Sequence, residues 1–313
     1  MTRALIFPGQ GSQSVGMGKA LAEAFSPARE VFEEVDDALQ ERLSATIFDG
    51  PEETLTLTEN LQPALMAVSM AVVRCLESDG KPPAEIAGYV AGHSLGEYTA
   101  LCATGAFSLA DTARLLRRRG QAMQRAVPVG EGAMAAIMGL ELDAVDGIAR
   151  EAAGGDYVCA PANDNAPGQI VVSGHKTAVE RAIEMAKERG AKRGLLLPVS
   201  APFHCDLMKP AAEEMREALK ETALAAPRLP VVTNVTAGPE DEPETLRRLL
   251  VDQVTEMVRW RESVARFSDL GIDEAAELGA GKVLSGLVKR IDRSIPVTAI
   301  QEPQDLEAFA ASL

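Results

Sequence analysis

The pentapeptide Gly92-His93-Ser94-Leu95-Gly96 constrains this chain more than any other feature. It follows a short apolar run at 86–91, which reads as a buried strand, and a helical pattern opens at Ser94. A G-x-S-x-G between a strand and a helix is the context of a nucleophile elbow. A tight turn lifts the serine hydroxyl clear of the sheet, and the flanking glycines relieve backbone crowding. Ser94 then stands at a helix N-terminus, where the dipole and the free N–H of Leu95 favour a developing oxyanion. The competing role is a helix cap, because Ser94 and Glu97 match a capping box. A cap alone does not need glycines on both sides, which favours the elbow.

The rest of the chain reads as alternating strands and helices. A buried strand at 4–7 ends at Pro8-Gly9-Gln10-Gly11, and helical patterns follow at 18–40 and 60–78. A further helix runs from Ser108, with Asp111 in its first turn, to Val127-Pro128. Residues 133–199 then read strand 133–140, helix 143–153, strands 157–162 and 169–173, helix 176–189 and strand 194–199. That order is the split βαββαβ pattern. After it come a helix at 208–222, a strand at 230–234, helices at 243–257 and 261–270, a strand at 274–278 and a last helix and strand. The expectation is an α/β chain. A large domain (1–128 and 199–313) carries a mostly parallel sheet, and residues 129–198 form an inserted small subdomain.

Composition narrows the function classes. The 313 residues are 46% apolar and 25% charged, values of a globular chain with a sizeable core. No run of about 18 apolar residues is present, so no membrane span is expected. The apolar run at the N-terminus is too short for a signal peptide, which leaves the cytoplasm as the expected location. The four cysteines form no C-x-x-C pair and only three histidines exist, so no metal site is expected. A net charge of −15 argues against a broad nucleic-acid surface but leaves room for a local basic patch.

A serine nucleophile needs a base. His93 adjoins Ser94, and a sharp turn should point its side chain away. His175 falls between a strand and a helix of the insert. His204, in Ser200-Ala201-Pro202-Phe203-His204-Cys205, sits on a loop at a strand end, where a base is expected. In the helix after Ser108, the i±3 and i±4 neighbours of Arg119 are Leu115, Leu116, Ala122 and Met123. Arg119 therefore points to the apolar stripe, unlike Arg114, Arg117 and Arg118. A guanidinium there needs an anion, either a substrate carboxylate held at two points or an internal Asp or Glu. The glycine-rich stretches at 9–14 and 279–283 complete neither dinucleotide nor P-loop motifs, so no nucleotide cofactor is expected. The Gln10 N–H, on a tight turn at a strand end, is a candidate second oxyanion donor.

Phe7-Pro8-Gly9-Gln10-Gly11-Ser12-Gln13, Gln62-Pro63-Ala64, Gly92-His93-Ser94-Leu95-Gly96-Glu97-Tyr98, Arg119-Gly120, Asn163-x-x-x-Pro167-Gly168-Gln169, Pro202-Phe203-His204 and Gly279-x-Gly281-Lys282-Val283-Leu284 occur in order over nearly the whole chain. In this set the sequence resembles the malonyl-CoA:acyl carrier protein transacylases, the acyltransferase family that loads malonyl groups in bacterial type II fatty-acid synthesis. The resemblance implies a hydrolase-like α/β domain with a ferredoxin-like insert. It implies Ser94 as nucleophile, His204 as base, Arg119 on the malonyl carboxylate, and Gln10 and Leu95 as oxyanion donors. It also implies that the Gln253 backbone carbonyl orients the histidine; from spacing alone, Asp252 competes for that place. Phe203 is implied to favour malonyl over methylmalonyl by filling the space of a branch methyl. Gly279-Ala280-Gly281 departs from the family's frequent Gly-Pro-Gly.

The expected activity is ping-pong transfer of malonyl from malonyl-CoA to acyl carrier protein, without a cofactor, by a cytoplasmic monomer. An acidic carrier protein would meet long-range repulsion from a −15 chain, so docking needs a local basic patch. Lys289 and Arg290, near Lys282, are its candidates. Two rivals stand beside this reading. A serine esterase or thioesterase shares the elbow but would transfer to water. A non-catalytic docking subunit would form no acyl-serine. A polyketide loader is a variant with the same chemistry.

Overall fold

A computed structural model describes residues 2–199 and 201–313. Ser200, within the stretch discussed with His204, lies outside the described residues. The run Ala4-Leu5-Ile6-Phe7 does not alternate, as expected of a strand covered on both faces, and all four side chains are fully buried. Among the described residues the strands are β1 (Thr2–Phe7), β2 (Tyr89–Gly92), β3 (Gly132–Met138), β4 (Cys159–Ala166), β5 (Gln169–His175), β6 (Arg193–Leu196), β7 (Val231–Val232), β8 (Pro239–Glu240), β9 (Ile272–Leu278) and β10 (Val297–Ile300).

They form two sheets. The larger has the order β10-β9-β1-β2-β7-β8, parallel except for the two-residue edge strand β8. Its helices cover both faces, with separate apolar cores around Leu65, Leu101 and Leu116 and around Trp260, Val264 and Leu284. The smaller sheet has the order β4-β5-β3-β6 and is wholly antiparallel. The helices Leu142–Ala153 and Lys176–Glu188 pack against it through Val145, Ile148, Val179 and Ile183. That is the βαββαβ insert with a ferredoxin-like strand order.

Several boundaries differ from the sequence reading, each for a local reason. The pattern at 18–40 is two helices, Lys19–Ala24 and Ser26–Leu39, because Phe25 is extended and Pro27 restarts the helix. Residues Pro83–Ile86 form a helical turn, and the strand begins only at Tyr89. β4 runs on to Ala166 because its far edge pairs with the large domain: the Asp164 amide donates to Val258 O and the Val258 amide to Ala162 O, both at 2.9 Å. The strand at 194–199 stops at Leu196. The strand at 230–234 shrinks to β7 because the Asn234 amide leaves the ladder for the Glu97 carboxyl at 2.9 Å. The helix at 243–257 ends at Asp252. The helices Leu43–Asp49 and Glu52–Leu55 and the strand β8 were not anticipated. No helix among the described residues is long and apolar enough to cross a membrane.

Candidate active site

The elbow is built by close backbone approach. A Cβ on Gly92 would lie 1.9 Å from the Gly96 carbonyl, and one on Gly96 would lie 2.3 Å from Phe7 O. Only glycine lets the strand, the turn and the helix Leu95–Ala103 meet at that distance. Ser94 itself has φ 53° and ψ −110°, a strained backbone for a side-chain-bearing residue, costing roughly 1–3 kcal/mol. The capping box does not form: Ser94 makes no side-chain cap, and Glu97 turns to Asn234 and Gln253 instead. The Ser94 hydroxyl is thereby left for other partners.

Parallel pairing of β1 with β2 puts Phe7 beside Gly92, so the loop after β1 emerges next to the elbow. A Cβ on Gly9 would fall 2.6 Å from His93 O. The Gln10 and Leu95 amides make no backbone hydrogen bond among the described residues. Both remain available to an oxyanion.

The side chains of His204 and Arg119 both meet the Ser94 hydroxyl. His204 Nε2 lies 2.8 Å from Ser94 Oγ, and His204 Nδ1 lies 2.8 Å from the Gln253 carbonyl oxygen. A carbonyl only accepts, so Nδ1 carries the proton and Nε2 faces the serine with a lone pair. The carbonyl is that of Gln253 and not the Asp252 carboxylate, which faces Arg248 at 3.6 Å. His204 is buried and has φ 57°. Burial first, and the Arg119 charge second, push its pKa down to about 3, against the pull of the Gln253 carbonyl.

Arg119 is 2% exposed. Its Nη1 donates to Gln62 Oε1 at 2.7 Å, and its Nη2 donates to Ser94 Oγ at 3.1 Å and Gln253 Oε1 at 3.0 Å. Every one of these partners is neutral, so the internal ion pair left open by the sequence is absent among the described residues. Burial holds the guanidinium pKa below its ordinary value. By contrast, Arg114, Arg117, Arg118 and Arg125 pair with Asp111, Glu41 and Glu214 nearer the surface. A buried cation with no ion-pair partner among the described residues suits an anionic ligand.

Other sequence candidates fall elsewhere. The His93 ring turns from the serine, with Nε2 2.9 Å from Asn165 Oδ1, and burial holds its pKa down. His175 is half-buried in the insert, where Nδ1 accepts from the Val158 amide at 2.8 Å. Phe203 is buried beside the base. Lys289 and Arg290 are exposed at the end of the helix Val283–Ile291, and Arg290 hydrogen-bonds Gln169 of the insert. A cleft of about 540 Å³ reaches His204 between β4 and residues 255–257.

Three polar residues escaped the sequence reading as site residues: Gln62, Glu97 and Asn234. Gln62 orients Arg119 and is itself held by Thr58. Asn234 Oδ1 accepts from the Ser94 amide at 2.7 Å, and its Nδ2 donates to Gly92 O at 2.6 Å. Glu97 is buried, and burial raises its carboxyl to about 7, opposed by hydrogen bonds from Asn234 and Gln253 and by the Arg119 charge. One signal was a polar residue inside an apolar stretch, as at Gln62 in the helix Thr58–Ser78; Gln62 and Glu97 also stand in the stretches that carry the family resemblance.

The acyl transferase domain pattern matches residues 4–294. The malonyl CoA-acyl carrier protein transacylase of Bacillus subtilis is 44% identical over 310 residues, 99% of this chain and 96% of that one. The crystal structure of an acyl-carrier-protein-S-malonyltransferase from Bartonella henselae matches with a TM-score of 0.97 at 54% identity, covering 100% of this chain and 99% of that one. A structure of a malonyl-transacylase in complex with its type II polyketide acyl-carrier protein matches at 41% identity and a TM-score of 0.96, with both chains fully covered. On the domain match, the identity over nearly the whole of both chains and the shared fold, the chain belongs to the acyl transferase family, among the malonyl-CoA:acyl carrier protein transacylases.

Proposed function

We infer that this chain transfers a malonyl group from malonyl-CoA to the phosphopantetheine thiol of an acyl carrier protein, through a malonyl-Ser94 intermediate. The observation that carries the reading is the buried Arg119, without an ion-pair partner among the described residues, bonded to the same hydroxyl that His204 addresses. His204 Nε2 takes the Ser94 proton as Oγ attacks the thioester carbon. The oxyanion is met by the Gln10 and Leu95 amides. The C–S bond then breaks, and the coenzyme A sulfur leaves with the proton held by the imidazole. In the second half, His204 takes the proton of the pantetheine thiol, whose sulfur attacks the acyl-serine, and Ser94 recovers its hydrogen as the C–O bond breaks. The Gln253 carbonyl keeps the imidazole in the productive tautomer. Arg119 holds the malonyl carboxylate. Phe203 excludes a branch methyl, and Lys289 and Arg290 contribute to carrier docking.

The reading takes the chain as a cytoplasmic monomer with no nucleic-acid, membrane or cofactor partner. It divides the chain into a catalytic domain (1–128 and 199–313) and a small subdomain (129–198). Mass spectrometry of the intact protein after exposure to malonyl-CoA tests it. One malonyl adduct is expected on the wild-type chain and none on Ser94→Ala, which remains folded. An adduct persisting on Ser94→Ala overturns the nucleophile.

A further inference from the structure

The parallel ladder between β2 and β7 ends where Ala91 faces Val232, one residue short of the elbow. Beyond that point the Asn234 carboxamide takes the place of a peptide unit. It accepts from the Ser94 amide and donates to the Gly92 carbonyl. Both groups belong to the strained turn, and the ladder of paired residues stops before them, at Ala91 and Val232. The Ser94 carbonyl is met on the other side by Gln253 Nε2 at 3.1 Å.

One carboxyl joins these two clamps. Glu97 Oε2 accepts from the Asn234 amide and from Gln253 Nε2, each at 2.9 Å, while Glu97 Oε1 is buried without a hydrogen-bond partner. Gln253 in turn holds Arg119 through Oε1 and His204 through its carbonyl oxygen. A single connected network thus reaches the nucleophile's backbone, the base and the guanidinium.

We propose that Asn234 and Glu97 are positioning residues for acyl transfer: Asn234 fixes the Ser94 backbone as a surrogate strand, and Glu97 locks Asn234 to Gln253 so that elbow, base and carboxylate anchor keep one geometry. The proposal rests on the acyl-serine reading above. Misplacing a nucleophile by about 1 Å costs on the order of 100-fold in rate, so loss of a clamp should slow acylation with little effect on substrate binding.

Rapid-quench acylation with malonyl-CoA, read by intact mass, tests this on wild type, Asn234→Ala, Glu97→Ala and Glu97→Gln. Folding is checked by thermal melting. For Asn234→Ala and Glu97→Ala the expected result is a full burst amplitude, a rate constant down about 100-fold and a half-saturation concentration within a few-fold of wild type. Glu97→Gln keeps an acceptor oxygen in place of Oε2 and an amide in place of Oε1, and should recover most of the rate lost in Glu97→Ala. A merely structural role predicts the opposite pattern, a reduced amplitude at the wild-type rate constant, and that result overturns the proposal. So does a Glu97→Gln chain as slow as Glu97→Ala. If wild type itself forms no adduct on Ser94, the functional reading fails and the positioning role with it, an outcome visible before any clamp variant is compared.

Discussion

Arg119 Nη2 donates to the Ser94 hydroxyl at 3.1 Å, and the same hydroxyl faces His204 Nε2 at 2.8 Å. The cation is therefore one hydrogen bond from the nucleophile and two from the base. It stabilises negative charge on the serine oxygen and weakens the imidazole as a base. A malonyl carboxylate on Arg119 would relieve the second effect and restore basicity to His204. On the proposed reading, substrate recognition and base strength are in that way tied to one side chain.

Arg119→Ala should lose malonyl transfer and narrow the malonyl-to-acetyl preference. Truncating a buried, two-point charge contact costs about 2–5 kcal/mol, and each ~1.4 kcal/mol is a factor of ten. Arg119→Lys should recover only part, because an ammonium cannot make the planar contact. The measurement is the ratio of kcat/KM for malonyl- and acetyl-CoA. An unchanged ratio in Arg119→Ala would remove Arg119 from the carboxylate site.

The acid limb of acylation should lie well below 6.5, the ordinary histidine value, since the free enzyme's His204 is held down to about 3. A neutral imidazole is the active form, so lowering its pKa extends activity toward acid. Arg119→Ala removes the repelling charge and should move the limb upward, short of 6.5 because burial persists. Both profiles are best taken in a Glu97→Gln background, which removes the carboxyl raised to about 7. A wild-type limb at 6.5 or above is incompatible with this environment for His204.

Glu97 makes stability depend on pH with a defined sign. Its folded pKa of about 7 exceeds the ordinary glutamate value of 4.5, so the folded state binds more protons between those values. Its contribution is fully present below about 4.5 and is lost as pH rises through about 7, on the order of a few kcal/mol at ~1.4 kcal/mol per unit. Denaturant melts of wild type and Glu97→Gln should converge or favour wild type at low pH and favour Glu97→Gln above 7. A difference independent of pH would show that the carboxyl is not strained by burial.

Charge reversal of Lys289 and Arg290 should raise KM for acyl carrier protein and leave acylation by malonyl-CoA intact, since both are exposed in the last turn of the helix Val283–Ile291 and Arg290 hydrogen-bonds Gln169 of the insert, outside the Ser94 hydroxyl network. Fatty-acid and polyketide carriers are compared in the same assay. Unchanged carrier kinetics would take both residues out of the docking patch.

Phe203→Ser should admit methylmalonyl while leaving malonyl transfer largely intact, because the buried ring gives up its volume beside His204. The readout is the ratio of kcat/KM for the two thioesters. A ratio equal to wild type would make Phe203 a packing residue only.

Local pattern in the sequence was enough for the elbow, the inward direction of Arg119 and the βαββαβ order of the insert. Each depends on residues near one another in the chain: two glycines flanking a serine, four apolar neighbours at helical spacing, and runs whose period changes from strand to helix. Segment ends were less legible. β7 is cut short because the Asn234 amide finds Glu97, far away in the sequence, a better partner than the ladder.

The connections among Ser94, Asn234, Glu97, Gln253 and Arg119 were decided only by the tertiary structure. Sequence periodicity gives the face on which a side chain lies. It does not give the partner that parallel strand order brings to that face from more than a hundred residues away. Spacing could not choose between the Asp252 carboxylate and the Gln253 carbonyl as the partner of His204. The choice falls to the chain's turn just after the helix Pro243–Asp252, which aims a carbonyl inward and leaves the carboxylate toward Arg248. A buried polar group takes whichever partner the packed fold leaves within hydrogen-bond reach, and that is a property of the assembled sheet and helices and not of any one segment.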